Sequence, residues 1–265
     1  MEKKDRIKVV ILCGGRGSRL REETEIRPKP LVEIGDKPMM WHIMKIYAYY
    51  GFKDFVLCLG YKGEMIKEYF LNYEAMNNDF TIRLGSSNSL EFHSKHLEND
   101  WNVTLVDTGK YAQTGCRIKR IENYIDGEDF MVTYGDGVGN IDIKKLVEYH
   151  KSSKKIGTVT GVRPSSRFGE LVIKGKDIIE FSEKPQIKEG FINGGFFVFN
   201  KKFFRYLKDD DNCFLEREPL EKLAKDGELS VYLHDGFWQC MDTQRELDIL
   251  SEMWLRKRAP WVIWE

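Results

Sequence analysis

Val9-Val10-Ile11-Leu12-Cys13-Gly14-Gly15-Arg16-Gly17-Ser18-Arg19-Leu20, running on to Arg27-Pro28-Lys29-Pro30, decides how this chain reads. An apolar, β-branched run stops at paired glycines and gives way to a loop carrying Arg16, Arg19, Arg27 and Lys29. That pattern describes a buried strand ending in an anion-binding turn. Glycines let successive backbone N–H groups approach phosphate oxygens with no Cβ in the way, and they tolerate positive φ. Two commoner loops are excluded. Leu20 stands where a dinucleotide fingerprint needs its third glycine, and the Gly-Lys-Ser/Thr of a P-loop is missing. Taken alone, the stretch reads equally as an exposed strand and turn with solvated basic residues, so the rest of the chain has to arbitrate.

The following segments alternate. Met40, Ile43, Met44 and Tyr47 fall at helical spacing after Pro38, and Gly51 marks a stop. Phe55–Leu59 reads as a buried strand, and Gly60-Tyr61-Lys62-Gly63 turns it into a helix over about 64–73. Such alternation predicts a parallel sheet covered by helices, with ligands at the carboxyl ends of its strands. The segments 80–84 and 90–93 predict an inserted hairpin around Gly85, and 102–107 resumes the sheet. Thr114 is the expected N-cap of a helix bearing Ile118, Ile121 and Ile125. Phe130–Tyr134 is a further strand, ending in Gly135-Asp136-Gly137, where the acid suits either a metal ligand or a simple turn. A helix is expected over 142–151. After Lys155 the texture turns to strands at 157–162, 171–173, 178–181 and 191–199. A helix over 219–226, a strand over 229–233 and a helix starting near Gln244 follow, with Asp242 one residue before the last N-cap.

With 265 residues, the expected organisation is one α/β domain over 1–265, with halves at 1–150 and 151–265, the second rich in strands. Forty-two basic residues balance 42 acidic ones, which argues against nucleic acid or a membrane surface as partner. No apolar run approaches the ~20 residues of a membrane span, and Arg16 and Arg19 interrupt the N-terminal apolar run, so no signal peptide is expected. Five cysteines without a C-x-x-C pair fit buried, reduced thiols in a cytoplasmic protein. His93 and His96 are expected at the surface, not on zinc. The hairpin and the Trp-rich tail, Ala259 to Glu265, suggest a homo-oligomer.

The motifs form an ordered set: Leu12-x-Gly14-Gly15-x-Gly17-x-Arg19-Leu20, Lys29-Pro30, Gly135-Asp136-Gly137, Glu183-Lys184-Pro185, Asn193-Gly194-Gly195 and Asp242-Thr243. In this order they resemble the sugar-1-phosphate nucleotidylyltransferases over nearly the whole chain. Trp41–Lys45, Gly60–Gly63, Asn102–Gly109, Phe237–Gln239 and the Ala259-Pro260-Trp261 tail are most similar to the family's CTP-using branch, which acts on glucose 1-phosphate. The resemblance implies a Rossmann-like, three-layer, mixed and mainly parallel sheet of the nucleotide-diphospho-sugar transferase type, its half at 1–150 binding the nucleotide and its β-rich half at 151–265 serving sugar binding and oligomerisation.

It also implies transfer of CMP from CTP to α-D-glucose 1-phosphate, giving pyrophosphate and a CDP-glucose for deoxysugar and surface polysaccharide synthesis. Arg19, Lys29, Asp136, Lys184 and Asp242 are the implied catalytic residues. Leu12, Cys13, Gly14, Gly15, Arg16, Gly17, Ser18, Arg19, Lys29, Thr114, Gly115, Arg117 and Gly135 would bind the nucleotide. Gly169, Glu183, Lys184, Asn193 and Gly194 would bind the sugar phosphate, and Asp136 with Asp242 would hold Mg²⁺. Cys116 stands where the family usually has Gly, which would put a side chain by the base pocket, and Cys13 stands where it has Ala. The segment 74–100 is least like the family. The residues leave open a sibling that uses dTTP or UTP or another acceptor, and a non-catalytic nucleotide sensor.

Overall fold

The computed structural model describes residues 6–85, 89–164, 170–174, 177–182 and 190–264. Seven strands make the central sheet: β1 (Lys8–Leu12), β2 (Asp54–Leu59), β3 (Asn102–Asp107), β4 (Asp129–Tyr134), β5 (Gly157–Val162), β6 (Ile192–Asn200) and β7 (Leu229–His234). Their order across the sheet is β7-β5-β6-β4-β1-β2-β3. β1 pairs in parallel with both β2 and β4, and β2 with β3. β6 alone runs against its neighbours β4 and β5, while β5 and β7 are again parallel. The expected mixed, mainly parallel sheet is present.

Successive residues of the central strands serve opposite cores, as the two-residue period of a strand requires. Val9, Ile11, Phe55, Leu57 and Met131 pack with α1 (Met39–Tyr49), α4 (Ile143–Ser153) and α6 (Gln244–Leu255). Val10, Val56, Phe130 and Val132 pack on the other face with α3 (Thr114–Arg120) and α5 (Glu218–Lys225). Val9, Val10 and Ile11 are wholly buried, each contributing roughly 1.5–3 kcal/mol. The strand carrying the glycine loop is therefore the rigid centre of three layers.

Several expectations change in detail. Gln113, not Thr114, occupies the N-cap position of α3. That helix ends at Arg120 and gives way to a tighter turn at Glu122–Tyr124, so Ile121 and Ile125 fill the core from beyond it. The Met40, Ile43, Met44 and Tyr47 stripe is core, and α2 (Gly63–Leu71) follows β2. The hairpin pairs Phe80–Arg83 with Ser89–Phe92, entirely on the surface. His96 is mostly covered, between Glu74 and Glu98. The tail folds back on its own chain: Trp261 is fully buried against Phe237 and His42, so it no longer argues for a partner. Among the described residues, no helix is long and apolar enough to cross a membrane.

Candidate active site

The parallel register brings three strand ends to one rim. Leu12 is level with Cys58 on one side and Tyr134 on the other. The chain after β1 (the glycine loop), after β2 (Gly60) and after β4 (Gly135-Asp136) therefore emerges together. A cleft of about 250 Å³ opens there, its walls including Leu12, Cys13, Gly14, Gly15, Gly17, Ser18, Arg19, Lys29, Thr114, Arg117, Gly135 and Asp136, with Asp242 facing them.

Gly17 turns the loop at φ +62°, and a Cβ there would meet the Thr24 methyl at 2.7 Å. Leu20 N–H closes the turn on the Gly17 carbonyl. Among the described residues, the backbone N–H groups of Gly14, Gly15, Arg16, Gly17 and Ser18 have no protein acceptor. Unspent donors at the end of a buried strand favour an anion.

Arg117 is only 4% exposed. Its Nη1 donates to the Leu59 and Gly109 carbonyls (2.8 Å each) and to Thr108 Oγ1 (2.9 Å), while Nη2 donates to the Gly14 carbonyl (3.0 Å). Burial lowers its pKa from the usual value, and neutral oxygens, not a carboxylate, surround it. The guanidinium thus pins the glycine loop to the ends of β2 and β3, and among the described residues no carboxylate cancels its charge beneath the cleft. It also explains two glycines: a Cβ on Gly14 or Gly60 would lie 2.1 or 2.4 Å from Arg117 Nη1.

Lys29 Nζ lies 2.7 Å from Asp136 Oδ2 and 2.6 Å from Asp242 Oδ1, while Arg19 Nη1 is 2.9 Å from Asp242 Oδ2. A short antiparallel ribbon causes this convergence. Gly137–Gly139 pairs with Trp238–Cys240, Cys240 opposite Gly137, and Met241 N–H donates to the Asp136 carbonyl (2.8 Å). The aspartates flank the same end of that ribbon. Asp242 is steadied further by a capping box at the start of α6, where Thr243 and Glu246 bond reciprocally and the Asp242 N–H donates to Glu246 Oε2 (2.7 Å). Burial would lower the Lys29 pKa, but Asp136 and Asp242 outweigh it and raise the value.

On the other wall, Asn193 Nδ2 donates to the Tyr134 hydroxyl (3.2 Å), which donates to Glu216 Oε1 (2.6 Å). Glu216 Oε2 accepts from Thr114 Oγ1 (2.7 Å). Gly195, at φ +77°, lies against the Tyr134 ring, and Trp238 Nε1 donates to the Gly194 carbonyl (2.8 Å).

Two residues expected at the nucleotide, Arg16 and Gly115, sit elsewhere, as does the side chain of Cys116. Arg16 is not in the cleft wall and lies over the Tyr111 ring. Gly115 packs on the chain at Cys213 and Leu215, with no room for a Cβ. Cys116 turns its sulfur to Asp209, 3.6 Å away, so it leaves the cleft unobstructed. Burial pushes the Cys58 thiol up to about 12 and raises Cys13, which keeps both protonated. Gly169, Glu183 and Lys184 lie outside the described residues. Sequence reasoning missed Tyr134, Gln113 and Glu216, because a tyrosine at a strand end, a glutamine before a helix and a glutamate in a loop carry no motif.

A mainly parallel sheet with a phosphate-type loop and two convergent carboxylates at its rim defines the nucleotide-diphospho-sugar transferase fold class. The model of the nucleotidyl transferase family matches residues 8–243, and the chain belongs to that family. It is 49% identical over 260 residues to glucose-1-phosphate cytidylyltransferase of Salmonella typhimurium, covering 98% of this chain and 100% of that one. A probable glucose-1-phosphate cytidylyltransferase of Bacillus subtilis is 46% identical over 258 residues, covering 97% and 100%. Among solved structures, a putative glucose-1-phosphate thymidylyltransferase from Bacillus anthracis has the same fold, with a TM-score of 0.68 at 22% identity, covering 93% of this chain and 94% of that one.

Proposed function

We propose that this protein transfers the cytidylyl group of CTP to glucose 1-phosphate, forming CDP-glucose and pyrophosphate. The observation that carries the chemistry is the gathering of Lys29, Asp136 and Asp242 beside the unspent N–H groups of the glycine loop. The base and the acceptor follow from the near-full-length likeness to cytidylyltransferases.

In this reading a phosphate oxygen of the sugar phosphate attacks the α-phosphorus of CTP. A new P–O bond forms as the bond to the β-phosphate breaks, and the electron pair leaves with pyrophosphate. Such transfers need positioning and charge neutralisation more than a protein nucleophile. The N–H groups of Gly14, Gly15, Gly17 and Ser18 bind phosphate oxygens, with Leu12, Cys13 and Gly135 forming the floor beside them. Arg19 neutralises the leaving pyrophosphate, and Lys29 meets charge developing at the α-phosphate. Thr114 and the face of Arg117 toward the cleft border the nucleotide, while Asn193, Gly194 and Lys184 serve the acceptor.

Two carboxylates that share one ammonium already converge on a single cationic point, so the residues present fit a divalent ion. Among the described residues no cluster of three acidic, His or Cys ligands exists. Asp136 and Asp242 would therefore hold Mg²⁺, with substrate phosphates and water completing its oxygen shell. Bound there, the ion supplies charge neutralisation for the reacting phosphates.

The test is pyrophosphate release from CTP, dTTP, UTP, ATP and GTP against a panel of sugar 1-phosphates. CTP with glucose 1-phosphate should exceed every other pair by at least about tenfold in kcat/KM. A preference for dTTP or UTP refutes the base assignment, and silence with every pair refutes the enzyme.

A further inference from the structure

The segment 209–216 belongs to the second half of the chain but clasps the start of α3. Gln113 N–H donates to the Asp211 carbonyl (2.9 Å), Cys116 N–H to the Cys213 carbonyl (3.1 Å) and Leu215 N–H to Thr114 Oγ1 (2.9 Å). Arg120 holds Asp209 at 2.7 Å and Asp211 at 3.0 Å. At the end of this strap stands Glu216, whose two oxygens bond to cleft-lining residues of two different elements: Oε1 to Tyr134 at the end of β4 and Oε2 to Thr114 at the start of α3. We propose that Glu216 is a positioning residue for the reaction assigned above, touching neither substrate but holding Tyr134 with Asn193 on the acceptor side and Thr114 on the nucleotide side in one register.

The hydrogen-bond inventory requires a carboxylate here. Tyr134 already accepts from Asn193 Nδ2, and Thr114 already accepts from Leu215 N–H, so each hydroxyl has its proton left to give. A carboxylate accepts at both ends, whereas an amide accepts at only one. Asn193 extends the chain on the acceptor side. Its Oδ1 accepts from Gly195 N–H (2.9 Å), and Gly195 in turn packs on the Tyr134 ring. Displacing Glu216 therefore frees Tyr134 and, through it, Asn193, and separately frees Thr114.

The test compares Glu216→Ala, Glu216→Gln and Tyr134→Phe in the full-length protein. Calorimetry gives the CTP dissociation constant without acceptor, and steady-state kinetics gives KM for glucose 1-phosphate and kcat. Glu216→Ala should raise both constants about five- to tenfold, as expected for two charge-assisted bonds that are partly solvated, with kcat much less affected. Glu216→Gln should restore one constant and leave the other raised. Combining Glu216→Ala with Tyr134→Phe should raise the acceptor KM no further than the larger single effect. Constants within twofold of wild type in Glu216→Ala, Gln behaving as Ala, or effects that multiply in the double variant each overturn the proposal. A loss of melting temperature in Glu216→Ala with wild-type constants means a strap only, and overturns it too. Wild-type turnover tests the assigned reaction separately, so the two can fail independently.

Discussion

Replacing Lys29 by Met removes the ammonium shared by Asp136 and Asp242 and leaves two carboxylates at a single point with, among the described residues, Arg19 alone opposing them. Unit charges 4 Å apart interact by about 4 kcal/mol at an effective dielectric constant near 20. Here the carboxylates remain 32% and 18% exposed while Lys29 is 11% exposed, so solvent screens the pair and desolvation of the ammonium offsets part of the attraction. The net loss is about 1–3 kcal/mol, a fall in melting temperature of roughly 3–10 °C for a chain of this size. Turnover should fall about 10²–10³-fold, the usual effect of deleting one preorganised partner of developing charge.

The pH dependence carries its own sign. The folded pKa of Lys29 is raised above 10.5, so its contribution is complete below 10.5 and disappears as pH rises through the folded value. Lys29→Met should lose that alkaline decline. Mg²⁺ should raise its melting temperature more than that of wild type, because the freed carboxylates are hard oxygen ligands. Calorimetry from pH 7 upward, with and without Mg²⁺, and pyrophosphate release are the assays. A variant as stable as wild type and within threefold of its activity refutes the assigned role of Lys29.

Two further substitutions test the frame behind the site. Gly14→Ala places a Cβ 2.1 Å from the buried Arg117 guanidinium, which should cost about 1–3 kcal/mol by overpacking and weaken CTP binding. Gly15→Ala meets nothing within 4 Å, so equal melting temperatures for the two variants would contradict this account of the loop. His42 donates through Nε2 to the Ile34 carbonyl and accepts at Nδ1 from Trp261, and burial holds its pKa down to about 4. The unfolded chain therefore takes up a proton first as pH falls below about 6.5, and stability should drop by roughly 3 kcal/mol on the way to pH 4. Urea unfolding at pH 7.5 and 4.5 measures this; an identical drop in His42→Gln would exclude His42 as its source.

Local pattern alone was enough for the strand at Val9–Leu12, the helix at Met40–Tyr47 and the start of α6 beside Asp242, because period and capping are short-range properties written into neighbouring residues. The glycines of the loop, Lys29 and the two aspartates were legible as types suited to phosphate chemistry. Other expectations failed where a distant segment intervened. Thr114 lost its capping role to the strap at 209–216, Cys116 turned toward Asp209, and Trp261 found its partner in His42. Arg117 was legible as a cation near the nucleotide site, but its frame was not: one bond reaches the glycine loop at Gly14 and three go to Leu59, Thr108 and Gly109.

The sequence by itself determined a strand with a phosphate-type turn, the alternating elements behind it, and which side chains carry the charge. Only the tertiary structure decided that Asp136 and Asp242 share Lys29, because the ribbon pairing that joins them links strands distant in the chain. It likewise decided that Glu216 ties Tyr134 to Thr114, since a loop glutamate acquires meaning only when two separate elements fold against it.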